Sequence, residues 1–134
     1  MCKRVLALAA VITVLSSCVT IYKPEGVGGG YAVVALGGDR YRIDVRGTGF
    51  TGMQRIRDIA MVKAADIALS KNFGYFKVED SGSRSEVRVG GSGGNVYSSN
   101  IPYFFLVVKL TADANDIDAK QTIDDLGPQV GYTK

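Results

Sequence analysis

Residues 40–46 alternate polar and apolar side chains over seven positions. This alternation is the period of a β-strand with one buried and one solvated face, which is typical of antiparallel sheets. The preceding residues 31–36 form an apolar run, and Gly37, Gly38 and Asp39 separate the two segments. A Gly-rich turn between such runs predicts a β-hairpin. Its buried face would carry Tyr41, Ile43 and Val45, and its solvated face Arg40, Arg42, Asp44 and Arg46.

An amphipathic helix is predicted after this hairpin. Thr51 followed by Gln54 matches a capping box, and residues 72–74 supply a left-handed stop, so the helix should end near Lys71. Apolar side chains recur at helical spacing and give one face for the sheet: Met53, Ile56, Ile59, Ala60, Ala64, Ile67 and Ala68. The charged side chains expected to point outward are Arg55, Arg57, Asp58, Lys63 and Asp66.

The second half of the chain predicts two further strands and a short helix. Residues 75–80 alternate, and residues 102–110 are the most β-prone run, which predicts a central strand. Residues 81–100 are dense in Gly and Ser, which predicts a mobile loop that extends a hairpin; a partner-binding loop is the alternative. Residues 115–126 predict a helix capped by Asp116 and stopped at Gly127 and Pro128.

These elements predict an α+β fold. We expect an antiparallel sheet in the chain order β-β-α-β-β, with an additional hairpin as an option. One main helix should cover one face of the sheet, and the short C-terminal helix should follow the last strand.

The first 18 residues predict where the protein resides. Lys3 and Arg4 precede an apolar run at residues 5–15, about half the roughly 20 residues that a membrane span requires. The ending Leu-Ser-Ser-Cys at residues 15–18 resembles a bacterial lipobox. The resemblance implies cleavage before Cys18, a diacylglycerol on its thiol and a third acyl chain on the new amine. Two or more acyl chains anchor a protein firmly, so we expect a membrane-bound lipoprotein. Residues 19 and 20 contain no aspartate, which favours the periplasmic face of the outer membrane.

The expected domains are a signal peptide at residues 1–17, a lipidated flexible tether at residues 18–29 and one small domain at residues 30–134. Cys2 would leave with the signal and Cys18 would carry lipid, so no disulfide is expected. The chain has no histidine, which excludes the usual zinc sites and a histidine general base. The mature part has 14 basic and 13 acidic residues. This near-neutral charge argues against nucleic acid as a partner.

Two patterns bear on cofactors and metals. Residues 47–52 read G-x-G-x-x-G between a predicted strand and a helix, as in dinucleotide-binding loops. The preceding strand is polar on one face, however, whereas the parallel strand of such a fold is apolar on both. The acidic residues between 113 and 125 do not have calcium-loop spacing. We therefore expect no cofactor and no metal.

Arg40, Arg42 and Arg46 are the candidate partner surface. They could bind lipopolysaccharide phosphate or another anionic envelope polymer; the alternative is a solvated face on which Asp44 pairs locally. The main hypothesis is a non-enzymatic module that binds an envelope protein or a glycan. A hydrolase that uses Asp, Glu and Tyr, and an accessory subunit of an export or motility assembly, are the alternatives. Adjacent carboxylates such as Glu79 and Asp80 should face opposite ways on a strand, which disfavours shared acid–base chemistry.

Several short segments also resemble the Caulobacter-type family of small proteobacterial outer-membrane lipoproteins. The similar segments are Tyr-Lys-Pro at residues 22–24, Gly-Gly-Tyr at 29–31, Arg-Tyr-Arg-Ile at 40–43, Lys-Ala-Ala-Asp-Ile-Ala-Leu at 63–69 and Phe-Gly-Tyr-Phe-Lys-Val at 73–78. The family commonly has Arg-Ala-Ala-Glu where this chain has Lys-Ala-Ala-Asp. The resemblance implies an exported lipoprotein of uncharacterised function and supplies no catalytic residues.

Overall fold

The structure, a computed structural model, describes residues 22–26, 29–92 and 95–133. The predicted signal peptide and Cys18 lie outside these residues. The described part forms the strands β1 Gly30–Gly37, β2 Arg40–Arg46, β3 Tyr75–Ser92, β4 Asn95–Thr111 and β5 Ile117–Asp118, and the helices α1 Met53–Ser70 and α2 Ala119–Val130. The strands make one antiparallel sheet in the order β1-β2-β4-β3-β5. The α+β prediction is confirmed, including one main helix and a short C-terminal one.

The predicted hairpin is formed by β1 and β2. Gly37, Gly38 and Asp39 all have positive φ, at 84°, 60° and 61°, so the turn needs the left-handed freedom that glycine supplies. Ile43 and Val45 are fully buried on one side of β2, as the alternation predicts. The strand pairs antiparallel on both of its sides, unlike the parallel strand that precedes a dinucleotide-binding loop.

The main helix α1 packs its apolar face on the sheet. Its buried residues are Ile56, Ile59, Ala60, Val62, Ala64, Ala65, Ile67 and Ala68. The predicted capping box is wrong: the N-cap is Gly52, and the Gln54 side chain donates to Asp58 instead. The predicted stop is confirmed, because the helix ends at Ser70 and Asn72 has a φ of 64°.

Residues 81–100 extend the hairpin, as predicted, but as paired strands and not as a loop. β3 runs to Ser92, β4 begins at Asn95, and the two strands pair antiparallel along this stretch. Residues 93–94 lie outside the described part. A Gly- and Ser-rich composition gives little local signal for a strand, whereas cross-strand pairing forms one: residues 81–85 pair with the β-prone residues 102–106, and residues 86–92 pair with residues 95–101. β4 lies between β2 and β3, so the predicted central strand is confirmed.

A bulge in β3 corrects the expected directions of Glu79 and Asp80. The register shifts between Val78 and Asp80, which leaves Glu79 as the additional residue and sets Asp80 opposite Val107. Val107 pairs on its other side with Arg42, whose face of β2 is the polar one. The alternation is therefore reset at the bulge, and the rule that adjacent residues face opposite ways does not hold here.

The C-terminal helix begins and ends later than predicted. α2 starts at Ala119, and its cap is Asp118, whose carboxylate accepts from the Gln121 amide at 3.0 Å. Asp116, the predicted cap, instead accepts from the Thr111 hydroxyl at 2.8 Å. The helix also continues through Gly127 and Pro128 and ends at Val130. The residue with left-handed backbone that stops it is Gly131.

The N-terminal residues 22–26 pack against the domain instead of extending from it as the predicted tether would. The Tyr22 amide donates to the Val130 carbonyl at 2.7 Å. The Tyr31 amide donates to the Lys23 carbonyl at 2.9 Å, and the Glu25 amide donates to the Tyr31 carbonyl at 2.8 Å. These residues therefore belong to the folded unit.

Candidate functional site

The sheet has two unlike faces. The face that carries Ile43, Val45 and Phe104 forms one apolar core with both helices. On the other face, called the open face below, no described element packs. The register places residues of β2, β4 and β3 in rows across it: Asp44, Phe105 and Gly82 form one row, and Arg46, Tyr103 and Arg84 the next.

Phe105 lies between a guanidinium and a glycine. The Arg42 Cζ atom is 4.4 Å from the centroid of the Phe105 ring, within the range of a cation–π contact. A Cβ on Gly82 would lie 2.4 Å from Cε1 of that ring, so only glycine leaves room for it. The ring therefore lies against the β3 backbone, which is one recognised reason for glycine inside a strand.

Tyr103 is held by an arginine and a carboxylate. The Arg84 Cζ atom is 4.5 Å from the centroid of its ring, and its hydroxyl donates to Oδ1 of Asp44 at 2.6 Å. Burial and the Asp44 carboxylate raise the pKa of Tyr103, so the phenol is protonated at neutral pH and acts as a donor. Nε of Arg42 donates to the same carboxylate at 3.2 Å, which uses one of its five N–H donors.

These stacks border a shallow cleft of about 240 Å³, lined by Arg42, Gly82, Ser83, Arg84, Tyr103 and Phe105. Both charged residues in this lining are arginines. The cleft is smaller than the roughly 300–1,000 Å³ of pockets for drug-sized ligands. Its size and chemistry suit one ring and one anionic group of a larger molecule.

The three arginines predicted as a partner surface do not act as one patch. Arg42 lines the cleft. Nε of Arg40 lies 2.7 Å from Oε1 of Glu79, across β4. Nε of Arg46 lies 3.3 Å from Oε1 of Glu25, too poorly aligned for a hydrogen bond, and its Nη2 donates to the Gly26 carbonyl at 3.3 Å. Arg46 thus fixes the N-terminal segment, and Asp44 pairs locally with Arg42 as the alternative interpretation expected.

Sequence reasoning missed five of the six cleft residues. Gly82, Ser83 and Arg84 lie in the segment predicted to be a loop, and β4 was predicted as a strand without an assignment of its faces. The alternation of Phe104 with Tyr103 and Phe105 carries a signal, because two aromatic side chains then share the face that also bears the β2 arginines.

A second polar cluster holds the N-terminal segment on the helical side. The hydroxyls of Tyr22 and Tyr132 donate to Oδ2 and Oδ1 of Asp66 at 3.2 and 3.0 Å. The Lys63 Nζ atom lies 3.5 Å from the same carboxylate and 4.5 Å from the centroid of the Tyr31 ring. Lys63 and Asp66, predicted to face outward, therefore bind this segment. Burial, followed by the Asp66 charge, strongly raises the pKa of Tyr22.

No group of three His, Cys, Asp or Glu side chains within residues 22–26, 29–92 and 95–133 is placed to hold a metal ion. In the same residues, no helix is long and apolar enough to cross a membrane. Comparison of the chain with models of known protein families, with curated proteins and with solved structures finds no match.

Proposed function

We propose that this protein is a lipid-anchored envelope protein whose domain binds an anionic envelope polymer through its open face. The anchor would be Cys18, which rests on the charged, apolar and Leu-Ser-Ser-Cys segments of residues 1–18. The location would be the periplasmic face of the outer membrane, which rests on the absence of aspartate at residues 19 and 20. The resemblance to small proteobacterial outer-membrane lipoproteins is consistent with this location.

The observation that carries the binding proposal is the pair of arginine–aromatic stacks around the cleft. Tyr103 and Phe105 line the cleft, and the parts of their rings that the stacked arginines leave uncovered offer apolar surface to a sugar. Arg42 and Arg84 supply cationic donors for a carboxylate or a phosphate. The shared chemistry of the ligand is therefore a saccharide that bears an anionic group, found both in peptidoglycan and in lipopolysaccharide.

A binding role fits the carboxylates of this face better than hydrolysis does. Asp44 already accepts from Tyr103 and Arg42, and Glu79 lies 2.7 Å from Arg40. Each of these two carboxylates thus already has a basic or hydroxyl partner that fixes its position. A protein partner, or a place in a larger envelope assembly, is the alternative.

The binding test is co-sedimentation of the full-length, detergent-solubilised protein with purified peptidoglycan and, separately, with lipopolysaccharide vesicles. We expect binding to one of the two, and Phe105→Ala should weaken it about tenfold, the equivalent of one lost stack of roughly 1.4 kcal/mol. Arg57→Ala is the matched control, because Arg57 lies 5.7 Å from the centroid of Phe104 on the opposite face. Equal binding by wild type and Phe105→Ala would contradict the proposal, as would binding to neither polymer.

The anchor is tested by labelling cells with a radioactive or alkyne-bearing fatty acid. Wild type should be cleaved and labelled, whereas Cys18→Ser should remain an unlabelled precursor. A labelled, processed Cys18→Ser protein would show that the lipid is attached elsewhere.

A further inference from the structure

The outer edge of β1 is only partly covered. β1 is the first strand of the sheet and pairs with β2 on one side only. On its other side, the N-terminal segment bonds both the amide and the carbonyl of Tyr31. The backbone groups of Tyr31 therefore point away from β2.

The alternation of an antiparallel ladder extends this direction to the rest of the strand. If Tyr31 points outward, the amides and carbonyls of Val33 and Ala35 also point outward, while Ala32 and Val34 bond β2. Among the described residues, no backbone group pairs with Val33 or Ala35 on that side. Four backbone hydrogen-bonding groups thus form an open strand edge.

The side chains next to this edge are apolar and exposed. Val33, Val34 and Leu36 are 37%, 52% and 50% exposed. Residues 30–37 contain no charge and no proline, which are two of the features with which proteins protect a free edge.

The edge at the other end of the sheet is protected in those ways. β5 covers only Tyr75 and Phe76 of β3. Beyond them, β3 carries the charged residues Lys77, Glu79 and Asp80, whereas β1 carries none. The contrast indicates that the bare edge of β1 is kept available for pairing.

We propose that β1 pairs with β1 of a second copy of this chain, antiparallel about a two-fold axis at Val34. Val33 of each copy then lies opposite Ala35 of the other, and the two pairs exchange four backbone hydrogen bonds. On the open face, Val34 meets its own copy, and on the helical face each Val33 meets the small Ala35 of the other copy. These pairs contain no charge.

The ends of the edge limit the pairing to this short stretch. The N-terminal segment blocks Tyr31, and the register becomes irregular between Ala35 and Gly37, where the chain turns towards β2. A second copy has an uncharged edge of the same length. The product is a continuous ten-stranded sheet with one open face, formed from the two five-stranded sheets.

The test is the mass of the full-length protein, released in detergent and measured by native mass spectrometry over a range of concentrations. We expect a dimer for wild type and a monomer for Val34→Lys, which places two charges together on the axis. Val87→Lys is the matched control, because Val87 is 64% exposed on the β3 extension, and it should remain dimeric. A dimer that survives Val34→Lys would overturn the proposal.

A cysteine cross-link in intact cells detects a weaker dimer. At a non-hydrogen-bonded antiparallel pair the Cα atoms are about 4.5 Å apart, which allows a disulfide. Under mild oxidation, Val34→Cys should give a covalent dimer, whereas wild type and Val87→Cys should not. Failure of Val34→Cys to cross-link more than Val87→Cys, together with a monomeric wild-type mass, would also overturn the proposal. Phe105→Ala should remain dimeric, so this result is independent of the proposed binding function.

Discussion

Phe104 and Phe105 are neighbours in β4 and have opposite surroundings. Phe104 is 8% exposed and belongs to the apolar core beneath the helices. Phe105 lies on the open face, between Arg42 and the backbone of Gly82. The same side chain thus contributes packing on one face and a partly exposed, oriented ring on the other. We infer that stability depends mainly on the helical face and binding on the open face.

The largest expected effect comes from a charge on the helical face. Ile67 is 7% exposed on α1, so Ile67→Asp buries an unpaired carboxylate and should unfold the domain, at a cost of about 4 kcal/mol or more. Urea denaturation followed by circular dichroism measures this. Leu69→Asp, two residues later and 38% exposed, is the control and should change stability by less than about 1 kcal/mol. Equal losses would mean that the buried face of α1 is assigned wrongly.

The two phenylalanines provide the most direct contrast. Phe104→Ala should destabilise the domain by about 3–5 kcal/mol, because it leaves a cavity in the core. Phe105→Ala should cost about 1 kcal/mol, since its ring is partly solvated and loses mainly the stack on Arg42. Urea denaturation of both variants measures the difference. Similar losses of unfolding free energy in the two variants would contradict the inference that stability depends mainly on the helical face.

Alkaline pH should affect the helical side more than the open face. The folded state raises the pKa of Tyr22 and of Tyr103 above the ordinary value of about 10, because both phenols are partly buried and donate to carboxylates. Their contribution to stability is complete below pH 10 and is lost as the pH rises above it. The loss of stability between pH 9 and 11 should therefore be smaller in Tyr22→Phe than in Tyr103→Phe or wild type. Identical pH profiles would contradict the roles given to these hydroxyls.

The smallest effect on stability, with a large effect on binding, is expected for Gly82→Ala. The new Cβ displaces the Phe105 ring, which destabilises the fold. Alanine loses less backbone entropy on folding than glycine, so the net change in unfolding free energy should stay within about 1 kcal/mol. Polymer binding should fall as far as in Phe105→Ala. Gly74→Ala is the control, since a Cβ there meets no atom within 4 Å. Unchanged polymer binding in Gly82→Ala would show that binding does not depend on the position of the Phe105 ring.

Local patterns were sufficient to predict the helical face but not the open one. The alternation at residues 40–46 and the helical spacing from Ile56 to Ala68 reflect burial, which acts along each element separately. The cleft depends on which strands become neighbours, and no local pattern states that Gly82 lies opposite Phe105. The strand structure of residues 81–92 has the same cause, because it depends on pairing with β4 and not on the local composition. Likewise, Tyr22 and Asp66 are 44 residues apart, and only the folded chain brings them together.

The central claim is that the open face, and not the helical one, contacts the ligand. NMR of full-length protein in detergent micelles, with ring-labelled phenylalanine, tests it during titration with soluble peptidoglycan fragments and with lipopolysaccharide oligosaccharide. We expect the ring signals of Phe105 to shift in a saturable way with one of the two ligands, while those of Phe104 remain in place. Shifts confined to Phe104, or no saturable shift of Phe105 with either ligand, would contradict the account.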